Sequence, residues 1–342
     1  MKKKKLSIND IAKSLDISAT TVSFILNGHA VEKRIRKELV ERVLKYVEEV
    51  GYKPNSLARS LRTGKSNTIG LMVEDISNPY FSGIARFIEE NAYKNGYKII
   101  YSSTDNDPKK TKDLIQMFRE RHVDGYIISA PVGVEEDINE LIAAGLPVVQ
   151  FDRVLQGVET DAVEVDNSSS TYNAIKHLID GGFKNIGFVT LISVQSQMLG
   201  RLQGYKSALS EHDLKEHVME IPFSTDPENN INHILSFLEN KKGLDAVLFG
   251  TNYLAISGLK AIKRLGLTIP DDLAVIAFDD HDLFELSSPT ITAITQPIAE
   301  IANEVITILL KKLNSDPLVT IENQSVVLPT SMIIRGSSKK IR

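Results

Sequence analysis

Apolar residues in the first 50 positions recur with the spacing of short helices. In the segment 8–15 they lie on one face, and Ser7 with Asp10 can form a capping box at its start. A tight turn separates this run from the segment 19–26, whose apolar residues recur at i, i+3 and i+4 and would face the first helix. A third apolar stripe follows in 39–50. The pattern predicts a three-helix core whose second helix turns a small, polar face outward, a surface that suits a DNA major groove.

Beyond Thr68 the pattern changes to short apolar runs that alternate with amphipathic helices. Such alternation predicts parallel sheets with crossover helices, and therefore the α/β fold class. The series restarts near Asp166 and Asn167, which indicates two similar doubly wound lobes. The predicted strands are TIGLMV, KIIYSS, GYIIS, PVVQFD, NIGFVT, AVLFG and LAVIAFDD.

The ends of these strands are the candidate ligand positions. Ligands of doubly wound sheets bind outside the carboxyl ends of the strands, so the residues directly after each run are the ones to consider. By that rule the candidate segments are Asp75–Phe81, Asp152–Arg153, Thr190–Arg201, Gly250–Asn252 and Asp279–Asp280.

Charge divides the chain into two parts of opposite sign. Met1–Ser66 contains 15 Lys and Arg against 7 Asp and Glu, a net charge of +8, whereas the remainder contains 25 against 37, a net charge of −12. A basic segment lowers its free energy when it binds DNA, because it displaces counterions from the phosphates. An acidic segment is repelled by the same polyanion. The tail Lys2–Lys5 fits either a solvated, disordered segment or nonspecific phosphate attraction. We expect the first part to bind DNA.

Composition excludes several classes of protein. With 342 residues, 42% of them hydrophobic, the chain can build two or three packed units. It has no cysteine, so neither disulfides nor thiolate metal sites can form. Its start, MKKKKLSIND, lacks the apolar stretch of a signal peptide, and no run of about 18 apolar residues could span a bilayer. We expect a cytoplasmic protein with no membrane partner, cofactor or metal.

An ordered series of motifs resembles the lactose-repressor (LacI/GalR) family of bacterial transcription regulators. The motifs are DIAKSLDISATTVSFILNG, GYKPNSLARSLRTGKSNTIGL, DISNPYF, RHVDGYII, LPVVQFDR, VEVDN, GRLQGYKSAL, IPDDLAVIAFDD and SSPTITAITQP. The resemblance runs nearly end to end. It implies a helix-turn-helix head, a hinge helix, and a two-lobed, periplasmic-binding-protein-like domain. It also implies a homodimer whose binding to a DNA operator is controlled by a small molecule.

The resemblance and the sequence pattern together give the predicted domains. Pro54 stops the third helix, and the segment after Asn55 is too short to be a stable helix alone. The predicted domains are a helix-turn-helix head at 1–54, a hinge helix with linker at 55–66, and an effector-binding and dimerisation domain at 67–342, in which the N-lobe takes about 67–166 and 295–325 and the C-lobe about 167–294 and 326–342.

The family's DNA-contacting positions fall on the second helix and the hinge. Thr20 can bond a base edge, and Phe24 can pack on a thymine methyl group, although a buried core position is the alternative for Phe24. The family often has Arg or His at position 24, so a borrowed operator sequence does not follow. Leu61 matches the hinge leucine that wedges into the minor groove. The predicted DNA-binding residues are Ser18, Ala19, Thr20, Thr21, Ser23, Phe24, Asn27, Asn55, Ala58 and Leu61.

The family's effector-gripping positions match Arg201 and Asp279. An arginine offers a rigid fork of donors and a carboxylate accepts two hydroxyl groups, which suits a sugar or other polyol. Aromatic residues after the first strand could cover a sugar ring or simply pack between the lobes. At 252–253 the family's usual Asn-Asp pair reads Asn252-Tyr253, so a borrowed effector does not follow either. The predicted effector-binding residues are Tyr80, Phe81, Asp152, Arg201, Asn252 and Asp279.

Several enzyme motifs are absent or incomplete. The GKS at Gly64 lacks the earlier glycine of a phosphate-binding loop, and no G-x-S-x-G elbow occurs. His212 and His217 have no third metal ligand nearby in sequence and are expected at the surface. A carboxylate cluster at a strand end could be a hydrolase pair but serves binding equally well. That cluster consists of Asp279, Asp280 and Asp282.

The sequence therefore predicts a dimeric DNA-binding repressor that senses a sugar or sugar derivative and is not an enzyme. Two alternatives come from other classes, an enzyme acting on that sugar and a solute-binding protein for a transporter. The basic head disfavours both, because neither needs to bind DNA.

Overall fold

The computed structural model describes residues 6–52, 64–224, 226–316, 319 and 321–339. The chain forms two compact units, Met1–Ser66 and Asn67–Arg342. We call them the head and the body. The predicted α/β class is confirmed, since the described part of the head is helical and the body consists of parallel strands with helices between them.

The described residues of the head form three helices: α1 (Ile8–Leu15), α2 (Ala19–Leu26) and α3 (Lys37–Glu49). The predicted capping box is confirmed, because Ser7 Oγ accepts the Asp10 N–H at 3.2 Å and Asp10 Oδ2 accepts the Ser7 N–H at 2.8 Å. Asp16 then turns the chain with a left-handed φ of 52°. A small apolar core holds the three helices together; its fully or largely buried members are Ile11, Ala12, Val22, Ile25 and Val43.

The body contains two six-stranded sheets. The first has the strand order β11-β5-β4-β3-β1-β2 and is parallel throughout. Its strands are β1 (Thr68–Val73), β2 (Lys98–Ser103), β3 (Gly125–Ile128), β4 (Val148–Phe151), β5 (Asp161–Val165) and β11 (Ser325–Leu328). The second has the order β12-β10-β9-β8-β6-β7 and is parallel except for β12. Its strands are β6 (Ile186–Leu191), β7 (His217–Ile221), β8 (Ala246–Phe249), β9 (Ala274–Phe278), β10 (Thr292–Thr295) and β12 (Ser331–Ile333).

Helices cover both faces of each sheet, which makes each half of the body a doubly wound lobe. The N-lobe carries α4 (Pro79–Lys94), α5 (Pro108–Glu120), α6 (Glu135–Ala143) and α12 (Ile298–Leu313). The C-lobe carries α7 (Asn167–Asp180), α8 (Ser196–Glu211), α9 (Pro227–Asn240), α10 (Asn252–Leu265) and α11 (Asp282–Leu286). A short 3-10 turn, Gly336–Ser338, packs on the C-lobe sheet.

The chain's final return to the C-lobe differs from the prediction. We expected the C-lobe to resume at about residue 326, but Ser325–Leu328 pairs in register with Ala162–Val165 as the edge strand of the N-lobe sheet. Val326 and Leu328 pack against the N-lobe core. The crossing therefore lies at 329–330, just before β12. A four-residue edge strand has too little apolar pattern to reveal which sheet it joins.

Candidate functional site

The outward face of α2 is the candidate DNA-contacting surface of the head. Ser18 begins the helix, and its Oγ accepts the Thr21 N–H at 3.0 Å. Thr20 is exposed, whereas Thr21 and Ser23 are half-buried. Asn27 ends the helix and donates its amide to the Ser23 carbonyl at 2.6 Å. Thr20 therefore carries the most accessible hydroxyl group among the threonine and serine residues within α2.

Phe24 lies outside the buried core of the head. Its ring is half-buried, and the Lys33 ammonium group lies 5.5 Å from the ring centroid. By contrast, Ala19 packs partly against the head core. The hinge positions Asn55, Ala58 and Leu61 lie outside the described residues.

Residues that follow the strands of both lobes meet in a cleft within the body. Asp152 follows β4 of the N-lobe and Asp279 follows β9 of the C-lobe, and both are less than a tenth exposed. Each adopts the left-handed conformation with φ of 68°. That conformation is uncommon outside glycine, although Asp tolerates it better than most residues. The two lobes thus present equivalent buried carboxylates from equivalent strand ends.

Arg201, on α8, is held on all sides by the C-lobe. Its Nε donates to Asn167 Oδ1 at 2.9 Å, and its Nη1 donates to the Gly250 carbonyl at 2.7 Å. The guanidinium carbon lies 3.6 Å from the centroid of the Phe278 ring. The side chain is 3% exposed, so the free donors of its fork are pre-oriented toward the cleft rather than mobile.

Asp279 carries a perturbed acidity. Burial raises the pKa of its carboxyl group above the usual value, and the charge of Asp152 adds to the rise. Arg201 and a hydrogen bond from Gln296 Nε2, at 2.6 Å, oppose it. Arg201 and Gln296 thus stabilise the negative charge of Asp279 only in part. A hydrogen bond from a ligand hydroxyl would stabilise it further.

Arg153 ties three strand ends of the N-lobe together. Its Nη2 donates to Glu74 Oε2 at 2.8 Å and its Nε to Asp152 Oδ2 at 3.2 Å. Its Nη1 donates to Asn106 Oδ1 at 3.1 Å. The guanidinium and both carboxylates are buried. Their mutual attraction offsets the free-energy cost of removing each charge from water.

Several side-chain contacts bridge the lobes beside this cluster, among them one from Ser196 Oγ, which donates to Glu164 Oε1 at 2.8 Å. Asn78 and Asn252 exchange amide hydrogen bonds of 3.0 and 3.3 Å. Gln195 Nε2 donates to Asn106 Oδ1 at 2.9 Å. These bonds hold the two lobes closed over the cleft.

The predicted aromatic residues have different environments. Phe81 packs in the N-lobe core, 5.0 Å from the ring of Tyr80 and 6.4 Å from that of Phe151. The Tyr80 hydroxyl is buried and has no partner of good hydrogen-bond geometry among the described residues. Burial also raises its pKa well above the usual value, so it stays a neutral donor. Tyr80 is therefore the polar member of the pair.

Five of the six predicted effector residues line one pocket between the lobes. The pocket measures about 30 Å³, which leaves room for little more than water. Asn252, the sixth, does not line it and instead faces an adjoining cavity. A ligand of sugar size could enter only if the lobes moved apart. The predicted members of the pocket are Tyr80, Phe81, Asp152, Arg201 and Asp279.

Seven further polar residues of the pocket were missed as individual predictions: Glu74, Asn78, Arg153, Gln195, Gln197, Thr251 and Tyr253. Arg153 and the glutamines Gln195 and Gln197 lie within the strand-end segments that the sequence had marked, but nothing in the sequence singled them out. Glu74 directly follows β1 and so satisfies the strand-end rule, but the segment marked from the sequence began one residue later, at Asp75. The Gln197 Oε1 atom is buried without a hydrogen-bond partner among the described residues.

The carboxylate cluster considered as a hydrolase pair does not converge on one point. Both oxygens of Asp280 accept from Arg335, at 2.7 and 2.8 Å, whereas Asp279 faces Gln296. The described residues contain no group of three or more His, Asp or Glu side chains suited to a metal ion. His212 and His217, expected at the surface, are half-buried instead.

Within the described ranges, no helix is long and apolar enough to cross a membrane.

Comparison with known proteins gives two matching family descriptions. Residues 7–55 match the bacterial regulatory proteins of the lacI family, and residues 175–338 match the periplasmic binding protein-like domain. The chain is 32% identical over 336 residues to the ribose operon repressor of Haemophilus influenzae, covering 97% of this chain and 98% of that one. It is 30% identical over 338 residues to catabolite control protein A of Priestia megaterium, covering 98% and 99%.

Solved structures agree with this result. A LacI family transcriptional regulator from Enterococcus faecium with bound ribose is 27% identical, with a TM-score of 0.71 over 80% of this chain and 100% of that one. The lac repressor dimer bound to operator is 20% identical, has a TM-score of 0.85, and covers 98% of this chain and all of its own; it shows the shared fold. The relatives extend over nearly the whole chain and include named repressors. The chain belongs to the lactose-repressor (LacI) family of bacterial DNA-binding transcription regulators and is not an enzyme.

Proposed function

We propose that the protein is a homodimeric repressor whose operator affinity is controlled by a sugar bound between the two lobes. The observation that carries the proposal is the pocket itself, in which Asp152, Arg201 and Asp279 converge from both lobes. The buried Gln197 Oε1 atom has no partner among the described residues and adds an acceptor, and the Tyr80 hydroxyl, which lies within reach of Asp152, adds a donor. Such a set matches the alternating donors and acceptors of a polyol.

Two relatives support the choice of a sugar. One is named a ribose operon repressor, and a solved regulator of the family contains ribose. In this chain, the buried charges of the pocket are largely compensated by each other, which favours a neutral, hydroxyl-rich ligand over an ion.

We propose that α2 enters the major groove of a near-palindromic operator. Thr20 and Phe24 would contact bases, and Ala19 would allow close approach of the helix. Ser18, Thr21, Ser23 and Asn27 would contact phosphates or hold the helix ends. Two heads related by dimer symmetry would read the two half-sites, and the hinge residues Asn55, Ala58 and Leu61 would act at the operator centre.

Effector control would follow from lobe closure. A sugar that binds the closed and open forms with different affinity shifts their balance, and the hinge preceding the body transmits the shift to the heads. The bonds Asn78–Asn252 and Gln195–Asn106 are made only when the lobes are close, so they report on this balance.

Selection of bound sequences from random DNA, followed by operator titration with and without sugars, tests the proposal. We expect a near-palindromic site whose affinity changes with at least one sugar. Thr20→Ala should weaken binding to that site, whereas Ser14→Ala, an exposed control on α1, should not. Recovery of nonsymmetric, sequence-independent binding would contradict the operator part, and affinity unaffected by any sugar would contradict the effector part.

A further inference from the structure

The turn that follows α2 folds back on itself. The Lys33 N–H donates to the His29 carbonyl at 3.0 Å, and the Ile35 N–H donates to the Ala30 carbonyl at 2.8 Å. Ala30 and Ile35 also pack partly against the head core. We call residues 29–35 the exit turn. Because the exit turn and α2 pack on the same core, its side chains have defined positions beside that helix.

Lys33 reaches from the exit turn to the ring of Phe24. Its ammonium group lies 5.5 Å from the ring centroid, within the range of a cation–π contact. The Phe24 ring is half-buried but is not a member of the apolar core of the head. Core packing therefore does not fix the orientation of this ring, whereas the contact with Lys33 restricts it.

Glu32 holds the Lys33 ammonium group in place. Its Oε1 accepts a hydrogen bond from Lys33 Nζ at 2.7 Å, and its Oε2 lies 3.1 Å from His29 Nδ1. The bond from Lys33 and the contact with His29 lower the pKa of the Glu32 carboxyl group, so it is charged at neutral pH. DNA phosphates repel a carboxylate. Attraction to DNA therefore does not explain Glu32 so close to α2, whereas holding Lys33 does.

We propose that Lys33 is a positioning residue for base reading, which holds the Phe24 ring in the orientation that packs on a thymine methyl group. The inference rests on the proposed contact of Phe24 with DNA and specifies how that contact is made. A ring that turned freely would lose rotational freedom on binding, and a ring already fixed avoids this cost. The exit turn thus takes part in sequence recognition through Phe24, without touching a base itself.

A phosphate contact is the other use of a lysine beside a DNA-binding helix. Such a contact would add affinity for every sequence equally, whereas a positioning role adds affinity only where a thymine methyl group meets Phe24. The Lys33 ammonium group is already engaged by a carboxylate and by a ring, which favours the positioning role.

Titration of the full-length protein with operator duplexes that contain deoxyuridine tests this inference. The probe is the near-palindromic site selected from random DNA, with one thymine at a time exchanged in both half-sites. Deoxyuridine lacks only the methyl group, so the loss of affinity measures the methyl contact. For the parent we expect one position at which the exchange weakens binding by about fourfold per half-site, as for one methyl group left in water. Phe24→Ala should abolish this loss.

Lys33→Ala should reduce the preference for thymine to about twofold or less per half-site, because a cation–π contact at an exposed site contributes a factor of that order. Lys33→Arg keeps a cation at the ring and should retain the parent's preference. Lys45→Ala is the matched control: it removes the same charge from the head, and Lys45 also pairs with an exposed glutamate, Glu49, on α3. It should retain the preference as well.

Glu32→Gln is the second variant, and its two expected effects have opposite signs. Removal of a negative charge from the head should tighten binding to all DNA sequences. Release of the Lys33 ammonium group should at the same time weaken the preference for thymine over deoxyuridine. A variant that merely damaged the fold would not bind DNA more tightly.

The outcomes separate this inference from the proposed function on which it rests. If Lys33→Ala and Glu32→Gln keep the parent's full preference for thymine, the inference is wrong and the operator proposal stands. A salt dependence of Lys33→Ala that is weaker by about 0.9 per head would then identify a phosphate contact. If Lys45→Ala loses the preference as much as Lys33→Ala, net charge is responsible and the inference is again wrong. If the parent shows no preference at any thymine, the proposed contact of Phe24 fails and the inference fails with it.

Discussion

Arg201 lines the pocket between the lobes and is also held within the C-lobe core. Its guanidinium satisfies the Gly250 carbonyl and Asn167 Oδ1 and lies over Phe278. Loss of a residue that only gripped the effector would leave the protein folded but unresponsive to it. The structure indicates that removing it also costs stability, because two buried acceptors would lose their donors.

We therefore predict that Arg201→Met lowers the free energy of unfolding by about 1–3 kcal/mol. Urea denaturation of parent and variant measures the change. Gln203→Met, which places the same side chain at an exposed position of α8, is the control and should be near neutral. An unchanged denaturation midpoint for Arg201→Met would show that its bonds to Gly250 and Asn167 contribute nothing.

Asp279 allows a separate test of the site's electrostatics. Burial raises its pKa, so the folded protein holds this proton at pH values where the unfolded chain has lost it. The contribution of Asp279 to the free energy of unfolding is therefore greatest at low pH. It falls as pH rises from the ordinary carboxyl pKa through the raised pKa of the folded protein. Asp279→Asn removes the titration.

We predict that the stability of Asp279→Asn relative to the parent increases as pH is raised from about 4 to 7. Denaturation at several pH values measures it. Asp272→Asn is the contrasting variant, because hydrogen bonds from Thr268 lower the pKa of Asp272; its stability relative to the parent should be constant above about pH 4 and increase as pH falls below that value. A pH-independent difference for Asp279→Asn would mean that the pKa of the carboxyl group is not perturbed.

Asp279→Asn is also the better candidate, compared with Arg201→Met, for a folded protein that binds DNA but does not respond to effector, because Asn can still accept from Gln296.

The packing of α7 against α8 explains part of the motif GRLQGYKSAL. Gly204 lies where the two helix backbones approach, and a Cβ atom there would collide with the Ser168 carbonyl oxygen and come within 2.9 Å of the Tyr172 nitrogen. Neither is a flexible side-chain end, so the helices themselves would have to move. Gly204 is thus required because the backbones of α7 and α8 lie too close for a side chain at this position. This close packing positions α8 and, with it, Arg201.

We predict that Gly204→Ala destabilises the protein by about 1–3 kcal/mol through overpacking, although alanine is the better helix former. Gly83→Ala, inside α4, is the control: its Cβ would meet Ile298 at an ordinary 3.4 Å, so it should be neutral or stabilising. Thermal denaturation of both variants measures the difference. Equal melting temperatures for the two variants would contradict the close-approach argument.

The strands show which elements a sequence pattern can reveal. The seven apolar runs correspond to β1, β2, β3, β4, β6, β8 and β9. All but β2 consist mostly of buried residues, whereas the residues of β2 are half-buried or exposed. The five that were missed are β5, β7, β10, β11 and β12, of three to five residues each. Such short segments alternate weakly or carry polar residues, and neighbouring strands, rather than their own pattern, hold them in the sheet.

Closure of the two lobes is the property of the body as a whole that bears most directly on regulation. The Asn78–Asn252 pair joins the lobes, and Asn78 also begins α4 by accepting the Tyr80 N–H at 3.1 Å. A serine at 78 would keep the helix cap but is too short to exchange amide bonds with Asn252.

We predict that Asn78→Ser shifts the protein toward an open form, seen as a larger radius of gyration in small-angle scattering and a weaker affinity for any sugar that binds. Asn95→Ser, at the other end of α4, should leave the scattering curve unchanged. Identical curves for parent and Asn78→Ser would mean that the pair does not contribute to closure.

The sequence by itself determines those features of this protein that depend on local chemistry. The capping box at Ser7, the three-helix head, the long buried strands and the basic head on an acidic body all follow from residues close in sequence, because caps, periodicity and charge act locally. The strand-end rule and the family motifs also marked five residues that the structure brings together in one pocket between the lobes; that they bind an effector stays a prediction.

Only the tertiary structure decided the rest. The lobe to which Ser325–Leu328 belongs, the bonds that make Arg201 part of the core, and the cavity that Asn252 faces all depend on contacts between residues far apart in sequence. The same holds for Gly204, where the space is set by a neighbouring helix. A pattern of residue types states what each segment can do, but the shape of a cavity and the partner of a buried charge arise only when distant segments pack together.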